Sequence, residues 1–222
     1  MCYNLTTSIV SFISVTMSGI IAIYIKQPIL GCIMLAYGLM QFSEIIIWKG
    51  IDTNNKNLNK IGTSIGKYTL PSHNIALGIG VLIAYWSSRN NPKYWIPLIV
   101  GILFYLAIII IYSKIKDKNN GLTKACNYPN DDDSCTEKSA RLEWPYVQYW
   151  YNISFVISCI IFIIYIRPMV PNSIIIILYF SLTYMLTTFI GKRHIIGSYW
   201  CWMSAAFAPI LVVVLYLLDK YR

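Results

Sequence analysis

One carboxylate stands inside an apolar stretch of this chain. Residues 28–48 read PILGCIMLAYGLMQFSEIIIW, long enough to cross a bilayer, and Glu44 is the charge among them. A charged side chain on a spanning helix is costly. It normally faces protein or water and marks a functional site. Met34, Tyr37, Gln41, Glu44 and Trp48 recur at i, i+3, i+7, i+10 and i+14, which places a thioether, phenol, amide, carboxylate and indole on one helical face. A carboxylate beside an amide and a phenol can exchange a proton, hold a cation or hydrogen-bond a small polar solute. His73 is the second candidate, because imidazole titrates near neutral pH. Its stretch also holds Lys67, Pro71 and Asn74, and His73, Asn74 or Lys67 can approach Glu44 if the two helices pack side by side. Each residue has a plainer role as well. His73 can be a neutral ring held by one hydrogen bond, and Lys67 can snorkel to the surface. Glu44 can snorkel too if its helix ends at Trp48, four residues on.

A third polar set precedes these. Asn4, Thr7, Ser11, Ser14 and Ser18 recur at i, i+3, i+7, i+10 and i+14. In lipid such a face turns toward neighbouring helices or water. Asn4, Ser11 and Ser14 therefore either line the same pocket or serve as interhelical hydrogen-bond glue. Trp200 opens the last apolar stretch, with Trp202 beyond Cys201. It is either a pocket wall or an interfacial anchor. Catalytic chemistry finds less to work with. Catalytic zinc takes about three protein ligands and a water, and no spacing motif joins His73, His194, the cysteines and Glu44. No Ser-His-Asp or paired-carboxylate set occurs, so no catalytic or metal-binding residues are assigned. Asp131, Asp132 and Asp133 form a solvated turn or hold a divalent cation, although the alternating ligands of a calcium loop are absent.

The elements that must position these residues are membrane helices. Of 222 residues 57% are hydrophobic and only 12% charged, against about 25% charged in soluble domains. Seven spans are predicted, over 5–25, 28–48, 61–86, 94–114, 149–166, 172–190 and 198–218, giving an all-α integral membrane protein with a single bundle over residues 1–222. The opening MCYNLTTSIV lacks the basic start and small-residue cleavage pattern of a signal peptide, so the first helix is expected to persist. Pro28 suits a helix start, Gly50 a helix end, and Pro71 and Pro209 break two helices. Helix four has no polar face, which places it at the periphery against lipid. Trp144, Tyr146, Tyr149, Trp150 and Tyr151 read as an interfacial aromatic belt. Helices one and five end alike, in IIAIYIKQP and IIFIIYIRP, and Pro28 to Lys49 repeats the spacing of Pro171 to Lys192. That echo suggests three helices, a linker helix and three more, as in the parallel repeats of small sugar transporters. The Pro-Gln pair of that class is reversed here, as Gln27-Pro28.

Charge and cysteines bound the surroundings. The formal charge of +9 favours anionic lipid as a partner over nucleic acid, for which no soluble module remains. The bilayer, a small polar ligand or ion, and a second copy of the chain are the partners this reading admits. Cys32, Cys159 and Cys201 lie in apolar stretches and read as packing. Cys126 and Cys135 share the polar loop of residues 114–148, as a disulfide or as two free thiols. Loop cations nearly tie: Lys26, Arg89, Lys93, Arg167, Lys220 and Arg222 against Lys49, Lys56, Lys60, Lys192 and Arg193. The cysteine-bearing loop decides the expected orientation, with the amino terminus and that loop outside the cytoplasm. Size and span number suit a retinal pigment, but 198–218 holds no lysine for the chromophore. No cofactor is predicted.

Three short motifs carry a family resemblance: Met1-Cys2-Tyr3-Asn4 at the start, Met40, Gln41, Glu44 and Trp48 as Met-Gln-x-x-Glu-x-x-x-Trp, and Gly197, Trp200 and Trp202 as Gly-x-x-Trp-x-Trp. In these the chain resembles a family of small seven-span membrane proteins best represented in giant DNA viruses. Tyr3 stands where that family more often has Trp, and Ser198-Tyr199 where it more often has His-Leu. The resemblance implies a viral protein of an envelope or host-cell membrane and implies no biochemical activity. Transport or conduction of a proton, cation or small polar solute is the leading functional expectation. A receptor-like or structural membrane protein is the alternative, and a metal-dependent intramembrane hydrolase ranks third.

Overall fold

Helix α1, Leu5–Tyr24, starts where the Asn4 side chain accepts from the Thr7 backbone N–H at 2.8 Å. A tight turn with Lys26 at φ 60° leads into α2, Pro28–Asp52, whose proline takes the first helical position. Asn54, at φ 50°, turns the chain again. The Asn55 side chain then caps α3, Lys56–Ala84, accepting from Leu58 N–H at 3.0 Å. A 3-10 turn, Pro92–Tyr94, precedes α4, Ile96–Lys114. A second, Lys118–Gly121, precedes strand β1, Lys124–Cys126. Strand β2, Arg141–Glu143, pairs antiparallel with β1, Lys124 opposite Glu143 and Cys126 opposite Arg141. The last helix, α5, is Ile196–Lys220. This computed structural model describes residues 4–86, 90–126, 141–145, 153–154, 156–158, 160 and 196–220.

Helices α1 to α4 pack in sequence, each against its neighbour, and α5 packs on α1. Contacts at both ends show that successive helices run antiparallel. Gly50 meets Asn59 at one end of the α2–α3 pair and Gly80 meets Ile29 at the other. The core is dominated by α2, with Leu30, Ile33, Met34, Met40 and Ile47 buried against Val15 and Ala22 of α1 and Leu70, Leu77 and Val81 of α3. Outward faces are apolar: Val10, Ile13, Met17 and Ile20 on α1, and Ile99, Leu103, Leu106 and Ile110 on α4. Contiguous apolar surface on this scale suits lipid, not water. Among the described residues three helical segments are long and apolar enough to cross a membrane: Leu5–Tyr24, Pro28–Asp52 and Pro92–Lys114.

The chain is thus mostly helical, as expected, with two corrections of extent and one addition. Helix α2 passes Gly50 and ends at Asp52, because Gly50 packs against α3: a β-carbon there would lie 2.6 Å from the Asn59 backbone nitrogen. Helix α3 begins at Lys56, five residues before position 61, because the Asn55 cap supports a polar first turn. The β1–β2 ladder adds a strand pair to the helical bundle. Helix α4 is peripheral, with Pro97, Gly101, Ile108 and Tyr112 its buried residues. Of the expected fifth helix, Ile153, Ser154, Val156, Ile157, Ser158 and Ile160 are helical. The rest of that helix, the sixth helix, and hence the seven-span count and the internal echo, lie outside the described residues.

Candidate functional site

The stripe on α2 is buried from end to end. Met34, Tyr37, Gln41, Glu44 and Trp48 are all within 4% exposure, and Glu44 is at 0%. Its helix continues to Asp52, so Glu44 lies eight residues inside the end (52 − 44), about 12 Å by helix rise. That burial disposes of the snorkelling alternative. Close helix packing explains it. At Gly62 of α3 a β-carbon would sit 2.9 Å from both the Ile47 nitrogen and the Ser43 carbonyl oxygen. Small residues let two membrane helices approach this closely, and the side chains between them lose contact with the surroundings.

His73 is fully buried as well. Its ring lies on Tyr37, centroids 4.4 Å apart and tilted by 59°, with the backbone of Ala36 and Leu70 beside it. Two of the predicted site residues therefore meet across the α2–α3 interface. Glu44 does not share that point. The antiparallel register sets Tyr37 beside His73 and Ser43 beside Gly66, so Glu44 lies about 10 Å further along α2 by helix rise. Gln41 occupies the turn between. The result is a buried polar row, Glu44, Gln41, Tyr37 and His73, running along the contact of two helices.

Asn74 looks the other way. Its amide nitrogen donates to Ser154 Oγ at 3.2 Å and to Pro71 O at 3.2 Å, and its Oδ1 accepts from Ser158 Oγ at 2.8 Å. Pro71 lies within α3, and Asn74 provides for the proline's own carbonyl. Lys67 also departs from expectation. It pairs beyond the end of α4, where its ammonium contacts both Asp117 carboxylate oxygens, at 2.8 and 2.9 Å.

On α1 the buried face is Ser8, Ser11, Val15, Ser18, Gly19 and Ala22. Ser11 is where the sequence places it, and Ser14 is half-buried. Asn4 is exposed and acts as a helix cap, bonding Thr7 through both its backbone and its hydroxyl. Ser8 is the buried residue that the i, i+3, i+7 pattern passes over. Trp200 lies on α5, but its side chain is outside the described residues. The Cys126–Cys135 pairing and the Asp131–Asp133 run are outside them too. Among the described residues no three His, Cys, Asp or Glu side chains gather as a metal site.

One polar assembly was not foreseen. Asn59, Thr63 and Lys67 recur every four residues on α3 and receive the chain that follows α4. Asn59 donates to Thr123 O at 2.9 Å and accepts from Thr123 N–H at 3.1 Å. Thr63 Oγ1 donates to Asn59 Oδ1 at 3.2 Å and lies 2.7 Å from Thr123 Oγ1. Since the Thr63 proton is committed to Asn59, Thr123 supplies the proton of the shorter contact. Trp144, expected in an aromatic belt, is buried, and its ring edge lies where a Gly66 β-carbon would be, 2.5 Å from Cη2. The signal was present in the 4-residue spacing, but a helix begun at position 61 leaves Asn59 in a loop. Comparisons of the chain with protein-family models, curated proteins and solved structures find no match.

Proposed function

We propose that the protein is an integral membrane protein that moves a proton or small cation along the polar row beginning at Glu44. The observation that carries this reading is the complete burial of Glu44 in a helix long and apolar enough to cross a membrane. An intramembrane carboxylate is expensive, and retaining one is ordinarily tied to a proton or ion pathway. Gln41, Tyr37 and His73 continue the row with groups that donate and accept hydrogen bonds. The wider reading is a seven-span bundle in a viral envelope or host-cell membrane. Support for the span number comes from α1 to α5 falling on five of the seven expected stretches, and support for the origin comes from the motif resemblance.

The test is flux into proteoliposomes loaded with a pH indicator. Glu44→Gln preserves shape and hydrogen bonding but removes the titrating charge. Flux is expected to disappear while thermal stability in detergent stays close to wild type. Unchanged flux with Glu44→Gln rejects the proposal. A receptor-like or structural role is the second reading, favoured by the Asn74, Ser154 and Ser158 hydrogen bonds, which resemble interhelical glue. It predicts no flux from the wild-type protein.

A further inference from the structure

The antiparallel order of α1 to α4 sorts the exposed lysines. The α2–α3 turn and the chain leaving α4 come to the same end of the bundle, as the Asn59–Thr123 and Lys67–Asp117 contacts require. Asn4 is at that end as well, because α1 runs antiparallel to α2, with Thr16 at Gly38 and Gly19 at Gly31. Lys49, Lys56, Lys60, Lys114, Lys116 and Lys124 all project there and are all exposed. Among the other described lysines, exposed Lys26 and Lys93 lie at the opposite end, and exposed Lys220 closes α5. Of the acidic side chains described at the lysine-rich end, Asp117 is engaged by Lys67 and only Asp52 remains exposed. The short loops alone nearly tie in cations; the long loop adds more. The structure brings three of those cations, Lys114, Lys116 and Lys124, into one collar with the lysines of the short turn.

Lysines within about 15–20 residues of helix ends set orientation, and loops shorter than about 60 residues count in full, whereas Asp and Glu contribute little. By that rule the carboxylates of Asp131 to Asp133 do not offset the collar. The cytoplasmic leaflet is also the anionic one, and juxtamembrane lysines are attracted to its headgroups. We propose that this lysine collar binds the anionic phospholipid headgroups of the cytoplasmic leaflet, which sets Asn4, β1 and β2 on the cytoplasmic side. This reverses the orientation suggested by the cysteine-bearing loop. It rests on the helices spanning the membrane and is independent of any transport.

Native protein in intact cells is treated with a membrane-impermeant amine reagent, before and after permeabilisation, and modified lysines are mapped by mass spectrometry. Lys26 and Lys93 are expected to react in intact cells. Lys49, Lys56, Lys60, Lys114, Lys116 and Lys124 are expected to react only after permeabilisation. The reverse pattern, or equal reaction at both ends, overturns the proposal. Purified protein is then reconstituted in phosphatidylcholine vesicles with and without phosphatidylserine. Headgroup contact is expected to slow modification of the six lysines about fivefold with phosphatidylserine, an effect lost at high salt and absent at Lys26 and Lys93. Equal slowing at both ends overturns the lipid contact. Extraction of the protein from membranes by alkaline carbonate instead defeats the spanning reading on which the proposal rests.

Discussion

Replacing Asn59 by alanine tests the latch that binds the chain after α4 to α3. In the native protein the Asn59 amide pairs with both backbone groups of Thr123, at 2.9 and 3.1 Å. Thr123 is only 2% exposed, so water does not take over when the amide is removed. The latch loses both hydrogen bonds to Thr123, the Thr63 hydroxyl loses its acceptor, and a buried N–H and C=O are left behind. Each bond contributes about 1 kcal/mol net, and an orphaned buried group costs about 1–3 kcal/mol. Allowing for partial relaxation, the latch should weaken by about 3 kcal/mol, or roughly two decades in its opening equilibrium. Hydrogen exchange at the Thr123 amide reads that equilibrium directly. Asn59→Ala should therefore speed exchange about a hundredfold. Thr63→Val removes one hydroxyl while keeping the shape and should cost about 1 kcal/mol, less than a decade. If Asn59→Ala leaves the Thr123 rate within about threefold of wild type, as an ordinary surface substitution would, the latch is not held by this pairing.

Other consequences follow from the packing. Gly62→Val should destabilise the protein by about 1–3 kcal/mol or block folding, since no room exists between Ile47 and the Ser43 carbonyl; the melting temperature in detergent measures it. Asn74→Leu should cost about 1 kcal/mol by loss of the Ser154 and Ser158 bonds, and adding Ser158→Ala to it should cost little more, which a double-mutant cycle decides. Exchanges among Leu, Ile and Val at Ile99, Leu103, Leu106 and Ile110 should leave thermal stability within about 0.5 kcal/mol, because these residues face outward on α4. Asp117→Asn removes the partner of Lys67 and should cost about 1 kcal/mol, reduced by salt, since both side chains are partly exposed.

Much of the α2 face is legible in the primary structure. Met34, Tyr37, Gln41, Glu44 and Trp48 share a helical phase, and a membrane helix has no reason to place a carboxylate, an amide and an indole together except on a protected side. Burial of the whole stripe follows from that periodicity. The same logic identifies His73 as interior, and the unbroken aliphatic run of α4 as peripheral. Boundaries were harder to read. Gly50 in isolation signals a helix end, yet it continues the helix because α3 needs its missing side chain. The polar residues 56–60 look like a loop, yet they form the first turn of α3 under the Asn55 cap.

Which residues seek the interior and which helices can lie in lipid is written in the primary structure, because hydrophobic periodicity is a local property of consecutive residues. Tertiary structure decided the partners. Antiparallel register places Tyr37, not Glu44, against His73, since glycine contacts at both ends of the α2–α3 pair admit one alignment. The fold back of the chain after α4 gives Lys67 an acid fifty residues away and Asn59 a backbone to bind. It also collects lysines from two separate segments at one end of the bundle. Those pairings join residues far apart in the chain, and no local pattern encodes which distant groups a close-packed interface will bring together.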